Sequence, residues 1–213
     1  MPWPPDALAT LERHGVRLTS EQVGKLDRYA DLISERGRVL NLVSASDCGR
    51  LYDRHFFDSL TAVPLIEWWG KGVLDLGSGA GLPGIPLAIA LPTARFTLID
   101  RTRKRVAFIV QAISALALTN VNALWSDAVD LAQQPAHAHE ADILTVRAVA
   151  ETRKALSLAR PLLKPSGTVL LWQTLDQWKR EPTPDGFDGE WRPVPSRDDI
   201  ERGIRLCRSR EGC

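Results

Sequence analysis

Residues 75–84 read Asp-Leu-Gly-Ser-Gly-Ala-Gly-Leu-Pro-Gly, four glycines set close behind a carboxylate. Apolar Val73-Leu74 precedes the run, and an apolar stretch from Ile85 to Leu91 follows it. Strand, glycine turn and helix is the arrangement that brings backbone amides and a helix N-terminus up to a nucleotide. Two further acids stand at the ends of apolar runs: Asp100 after Phe96-Thr97-Leu98-Ile99, and Asp127 just beyond Val121–Trp125. His55, Asp58 and Ser59 are spaced i, i+3 and i+4, so they share one helix face. That face serves either a buried hydrogen-bond network between layers or a wall over a bound ligand. Arg101, Arg103, Lys104 and Arg105 open the segment after Asp100 and offer phosphate contacts beside the turn.

Two cofactor classes use such a turn. Gly79-Ala-Gly81-Leu-Pro-Gly84 satisfies the dinucleotide pattern G-x-G-x-x-G. Asp75-Leu-Gly77-Ser78-Gly79-Ala-Gly81 also satisfies D-x-G-x-G-x-G, the form found in S-adenosylmethionine-dependent methyltransferases. The second pattern explains more residues. A carboxylate at Asp75 repels a pyrophosphate but suits a ligand carrying an amino group and a sulfonium. Pro83 stiffens the turn and removes an amide that a pyrophosphate site would use. Asp100 is placed to accept from both ribose hydroxyls, a feature common to both classes. Ser126-Asp127-Ala128-Val129 follows the third strand, where this class reads adenine through a side-chain carboxylate and a backbone amide. The expected cofactor is S-adenosylmethionine.

The elements needed to hold these groups are legible in outline. Apolar runs at 73–76, 96–99, 121–125, 141–146 and 168–172 alternate with helix candidates at 85–91, 103–118, 128–134 and 151–163. Near-continuous apolar strands between helices predict an α/β fold: a Rossmann-like, mostly parallel sheet covered by helices on both faces. The first 70 residues look helical instead. Thr19 or Ser20 caps a helix that Gly37 stops, with Val23, Leu26, Tyr29, Ala30 and Ile33 on one face. A shorter helix precedes it around Asp6 to Arg13, and another runs from about Ser46 to Val63. The expected organisation is an N-terminal helical cap (1–70) packed on a cofactor-binding domain (71–213). That domain ends in a tail whose segments near 190–195 and 204–208 predict an edge hairpin.

Composition adds limits. The 213 residues are 44% hydrophobic and 25% charged, as in ordinary globular proteins. A net charge of +1 leaves any nucleic-acid partner to local basic patches. Cys48, Cys207 and Cys213, odd in number and widely spaced, suggest reduced thiols. The start Met1-Pro2-Trp3-Pro4-Pro5 lacks a signal peptide's basic and apolar regions. A cytoplasmic protein is expected. His137 and His139 have no ligand-like partners in the sequence, so no metal is expected. Trp68, Trp69 and Trp172 read as packing residues, and Trp125 as packing or as a surface on which a base could stack.

The run Leu74–Pro92, with Asn41-Leu42-Val43-Ser44 and Arg54–Leu60 upstream and Arg147–Ala150 downstream, resembles the small-subunit (16S) ribosomal RNA guanine-N7 methyltransferases, also called glucose-inhibited division protein B. The resemblance extends from about Leu18 to Leu171. It implies a methyl-donor pocket lined by Gly77, Ser78, Gly79 and Leu82, with Asp100 on the ribose and Ala128-Val129 along the adenine. It also implies that Arg147 stands beside donor and target base, with His55 and Asp58 as candidate catalytic partners. The implied substrate is 16S rRNA or the small ribosomal subunit, and a monomer is expected. Guanine N7 carries an in-plane lone pair and no proton, so its methylation needs alignment rather than a general base.

Three positions depart from the family's pattern. Gln173 stands where a lysine is usual, Asp127 where a basic residue is common, and Asp100-Arg101 replaces Asp-Ser. Gln173 and Asp127 motivate one alternative, a divergent methyltransferase acting on another RNA or a small molecule; a non-catalytic protein that binds S-adenosylmethionine and retains the fold is the other.

Overall fold

The computed structural model describes residues 3–4, 6–40, 48–134, 138–147 and 151–210, and only the backbone of 37–40 and 48. Helices α1 (Ala7–Arg13), α2 (Ser20–Leu40) and α3 (Phe57–Leu60) precede the first strand. Strands β1 (Gly72–Leu76), β2 (Arg95–Asp100), β3 (Val121–Trp125), β4 (Ala141–Arg147) and β5 (Leu163–Thr174) then alternate with α4 (Gly84–Ala90), α5 (Arg103–Ala115), α6 (Ala128–Ala132) and α7 (Thr152–Ala159). Helix α8 (Leu175–Arg180) and strands β6 (Phe187–Val194) and β7 (Arg202–Ser209) complete the described chain.

The strands form one sheet in the order β3-β2-β1-β4-β5-β7-β6. β1 to β5 pair in parallel, and β7 lies antiparallel between β5 and β6. This is the α/β sheet expected from the alternating runs. The chain enters at β1, steps outward to β3, then returns to the far side of β1 with β4. That reversal parts the loops at the carboxyl ends of β1 and β4 and opens a crevice between them.

Strand alternation sends successive side chains to opposite faces. Val73, Phe96, Leu98, Ile143 and Leu170 share one buried cluster with Leu26, Tyr29, Phe56, Leu87 and Phe108, so the N-terminal helices pack directly on this face. Leu76, Ile99, Leu144, Val146 and Leu171 form the other cluster with Leu131, Leu156 and Ala159. Each such side chain contributes about 1.5–3 kcal/mol when fully buried, so the sheet is held from both sides.

Local structure departs from the expected boundaries in several places. α2 does not stop at Gly37 but runs on to Leu40; one mid-helix glycine costs only about 1 kcal/mol, against a face with Leu26, Tyr29, Ala30 and Ile33 all buried. The single helix expected over 46–63 is broken into a 3-10 turn at Cys48–Arg50, a π-helix at Leu51–Phe56 and the short α3. α5 ends early because Ala117 takes a left-handed conformation (φ 49°), a common way to close a helix. α7 ends at Ala159 because Pro161 follows within two residues. The residues beyond it start β5, which pairs Ala141 with Leu163 and then shifts register to Ile143 with Thr168.

The tail hairpin exists but is longer than expected, with β7 rather than β6 next to β5. α8 was not foreseen, although Thr174 and Gln177 form a capping box at its start. Trp68 is buried, whereas Trp69 is 74% exposed and does not pack as expected.

Candidate active site

A cavity of about 640 Å³ occupies the crevice at the carboxyl ends of β1 to β4. Gly77, Ser78, Gly79, Ala80 and Leu82 form one wall, and Asp100, Arg101 and Arg105 the next. Ser126, Asp127, Ala128 and Val129 line the β3 side. His55, Arg147, Lys154, Ala155 and Leu158 close the opposite side.

The glycine turn is anchored from beneath. Gly77 and Ser78 amides donate to the Ile99 carbonyl at 2.8 and 3.0 Å, and the Ser78 hydroxyl accepts from the Ile99 amide at 3.1 Å. From the other layer, the buried Tyr29 hydroxyl of α2 donates to the Ala80 carbonyl. Gly81 takes φ 92°, and a Cβ there would sit 2.6 Å from Ile85 Cδ1 and 3.0 Å from the Tyr29 oxygen. At this φ any other residue is strained, and its Cβ would have to push the Ile85 side chain aside.

Asp75 departs from expectation. Its side chain shares the parity of Val73 and points beneath α4, fully buried, so it does not line the cavity. One carboxylate oxygen accepts from Thr145 Oγ1 at 2.8 Å and the other from the Gly84 amide at 3.2 Å. A Cβ at Gly84 would lie 2.8 Å from the same oxygen, so glycine is what lets the helix start come so close. Burial pushes the Asp75 carboxyl up to about 6, against the lowering effect of these hydrogen bonds. Asp75 therefore joins β1, β4 and α4 rather than meeting a ligand's positive charge.

Asp100 does face the cavity. Its Oδ2 accepts from the Gly79 amide at 2.9 Å and its Oδ1 from the Thr102 amide at 2.8 Å, with Arg105 Nη1 3.6 Å from Oδ2. A carboxylate has about four acceptor positions, so both oxygens keep capacity for a pair of hydroxyls. Asp127 caps α6, its Oδ1 accepting from the Val129 amide at 2.9 Å. Asp127 and the apolar Ala128 and Val129 lie side by side in the cavity wall. These features fit the nucleoside of S-adenosylmethionine.

Arg147, the last residue of β4, reaches across to the π-helix. Nη2 donates to the Arg54 carbonyl at 2.7 Å and lies 3.4 Å from Asp58 Oδ2, while Nη1 donates to the His55 carbonyl at 3.1 Å and to Ser59 Oγ at 3.3 Å. The π-helical widening, a distortion frequent at functional sites, presents those carbonyls to the guanidinium. Asp58 was expected among catalytic groups, but it is buried behind Arg147 and absent from the lining. Desolvation raises its carboxyl to about 6, opposed first by the charge of Arg147. Trp172 Nε1 donates to the Asp58 carbonyl at 2.8 Å and ties this turn to β5. Arg147 and His55 do line the cavity, so the shared helix face supplies one wall residue and two positioning residues, Asp58 and Ser59.

Of the four cations expected to contact phosphate, Arg101, Arg103 and Lys104 are exposed, and of these three Arg101 lines the cavity. Arg105 turns inward toward Asp100 instead. Gln173 does not line the cavity: its Nε2 donates to Thr152 Oγ1 at 2.7 Å, and Glu181 accepts from the Thr152 hydroxyl and amide at 2.7 and 2.9 Å. Sequence reasoning missed Tyr29 and Thr145 as supports of the turn and Lys154 as a lining residue. Asp75 shares the parity of Val73, but Asp100 shares that of Phe96 and Leu98 on the same face, so strand parity does not separate the two acids. Asn41 and His137 lie outside the described residues. Among the described residues no group of three potential metal ligands converges.

The family model described as rRNA small subunit methyltransferase G (GidB) matches residues 22–182. The ribosomal RNA small subunit methyltransferase G of Trichormus variabilis is 36% identical over 171 residues, covering 78% of this chain and 69% of that protein. Its namesake from Sorangium cellulosum is 37% identical over 171 residues, covering 79% and 71%. Among solved structures, TrmN from Thermus thermophilus superposes with a TM-score of 0.54 at 24% identity, covering 74% of this chain and 53% of that one. M. jannaschii TYW2, solved in complex with AdoMet, gives 0.52 at 18% identity, covering 68% and 71%. These two likenesses show the methyltransferase type of fold. Matched by one family model from α2 into the segment beyond α8, and by relatives of that name across most of its length, the chain belongs to the rRNA small subunit methyltransferase G family.

Proposed function

We propose that this protein methylates N7 of a guanine in the 16S rRNA of the small ribosomal subunit, with S-adenosylmethionine as donor. The observation that carries the reading is a single cavity bounded on one side by the glycine turn and Asp100 and on the other by Arg147 and His55. Donor and target base can thus be held against each other in one enclosure. The substrate class supports a cytoplasmic location. Residues 1–70 act as a cap, supplying His55 to the wall and Tyr29 to the turn.

S-adenosylmethionine supplies an electrophilic methyl group on a positively charged sulfur. The protein's part is alignment. Asp100 fixes the ribose, while Asp127, Ala128 and Val129 fix the adenine. Arg147 is clamped by two carbonyls, a hydroxyl and Asp58, so the corner facing the base is rigid. Because guanine N7 has no proton to lose, no residue needs to act as a base. Holding reactants in such a geometry is itself a large share of catalysis.

Of the two positions that motivated a divergent substrate, Gln173 donates through Nε2 into the Thr152–Glu181 network away from the lining, while Asp127 stands in the cavity wall as the cap of α6. The placement of Gln173 favours the rRNA reading. The test is methyl transfer from labelled S-adenosylmethionine to small subunits lacking their N7-methylguanosine, mapped by cleavage specific for that base. One labelled guanine in 16S rRNA is expected. Tight donor binding without transfer would move the assignment to another substrate.

A further inference from the structure

Trp125 ends β3 in register with Asp100 of β2, immediately beside the cavity wall formed by Ser126 and Arg101. It is 59% exposed. Its indole N–H donates to the Arg101 carbonyl at 3.0 Å, so the polar edge is satisfied within the protein and the ring plane is set. The guanidinium of Arg103 lies over the ring, 5.5 Å from its centroid. Arg101, Arg103 and Lys104 are all exposed at or just before the start of α5. Of the acids nearby, Asp100 is buried and Asp127 caps α6, which leaves Asp130 on α6 as the exposed carboxylate of that turn.

An orientated aromatic face with one guanidinium over it, from a segment that carries two more exposed cations, has the makeup of a single-stranded nucleic-acid platform. Bases stack on the ring regardless of sequence, and the cations follow the backbone. A protein partner would find the indole N–H already used and a one-sided positive rim. We propose that Trp125, together with Arg103, stacks an unpaired base of the RNA near the target nucleotide, outside the donor pocket. The inference rests on the reading of the substrate as RNA and adds a second contact point to it.

The test uses the full chain and its Trp125→Ala and Trp125→Phe variants. Each is titrated with a short unstructured oligoribonucleotide, with protein-free 16S rRNA and with S-adenosylmethionine, and each is assayed for methyl transfer to small subunits. Trp125→Ala is expected to weaken binding to both RNAs roughly ten-fold while leaving its salt dependence and the donor affinity unchanged. Trp125→Phe should retain most of the affinity. In contrast, Lys104→Ala should reduce the salt slope by about one. Unchanged RNA affinity in Trp125→Ala would overturn the proposal. So would a loss that appears in donor affinity, or one confined to assembled subunits, which would mark a protein contact. Trp125-dependent RNA binding without any methyl transfer would sink the guanine-N7 reading and leave the platform standing. Normal transfer that ignores Trp125→Ala would do the reverse.

Discussion

At the residue scale, two carboxylates with the same side-chain chemistry do different work because their surroundings differ. Asp100 keeps free acceptor capacity at the cavity, so Asp100→Ala should weaken S-adenosylmethionine binding ten-fold or more, read by calorimetry, since hydrogen bonds to charged groups contribute about 1.5–3 kcal/mol. Asp58 is buried behind Arg147, with a carboxyl near 6 in the fold against 3.8 unfolded. The folded state therefore holds this proton more tightly than the unfolded chain between those two values. Its contribution to stability falls as pH rises through that window and is most favourable below it. The urea midpoint of the wild type relative to Asp58→Asn is expected to rise as pH drops from about 7 to about 4.5. A difference that stays flat across that range would show that Asp58 is not the raised group.

At the element scale, the same substitution should have opposite signs inside a helix and in the turn before one. Gly24 lies within α2 with nothing within 4 Å of an added Cβ, so Gly24→Ala should stabilise by about 0.5–1 kcal/mol. Gly81 precedes α4 at φ 92° with Ile85 in the way, so Gly81→Ala should cost about 1–3 kcal/mol and reduce donor affinity as well. Denaturant melts of the two variants, paired with donor titrations, check both signs. The glycine turn was legible because strand, turn and helix are contiguous and each follows a short-range rule. The breakage of the 46–63 segment was not, because its cause is distant: Arg147 and Trp172 bind carbonyls of that segment from strands 92 or more residues on.

At the scale of the whole molecule, the N-terminal helices and the donor site are one mechanical unit. Tyr29 of α2 reaches the Ala80 carbonyl of the glycine turn, and Arg147 of β4 grips the π-helix. Tyr29→Phe removes a single hydroxyl yet leaves a buried carbonyl without its donor, a loss of about 1–3 kcal/mol. The expected outcome is a lower melting temperature together with weaker S-adenosylmethionine binding. A stability loss with unchanged donor affinity would show that the turn keeps its shape without the helix.

The amino-acid sequence by itself determined the alternating α/β order, the glycine turn, the acids at the ends of β2 and β3, and through them the cofactor class. All of these rest on contiguous residues and on the two-residue period of a strand. Only the tertiary structure decided which acids face the cavity. Asp75 and Asp100 both sit near the carboxyl ends of neighbouring strands, but Asp75 is roofed by α4 at Gly84 while Asp100 opens onto the crevice. It alone also decided that Gln173 serves Thr152, that Asp58 stands behind Arg147, and that Trp125 is left in solvent. Those outcomes depend on which strands become neighbours across the sheet, and the chain's local preferences do not encode that distance.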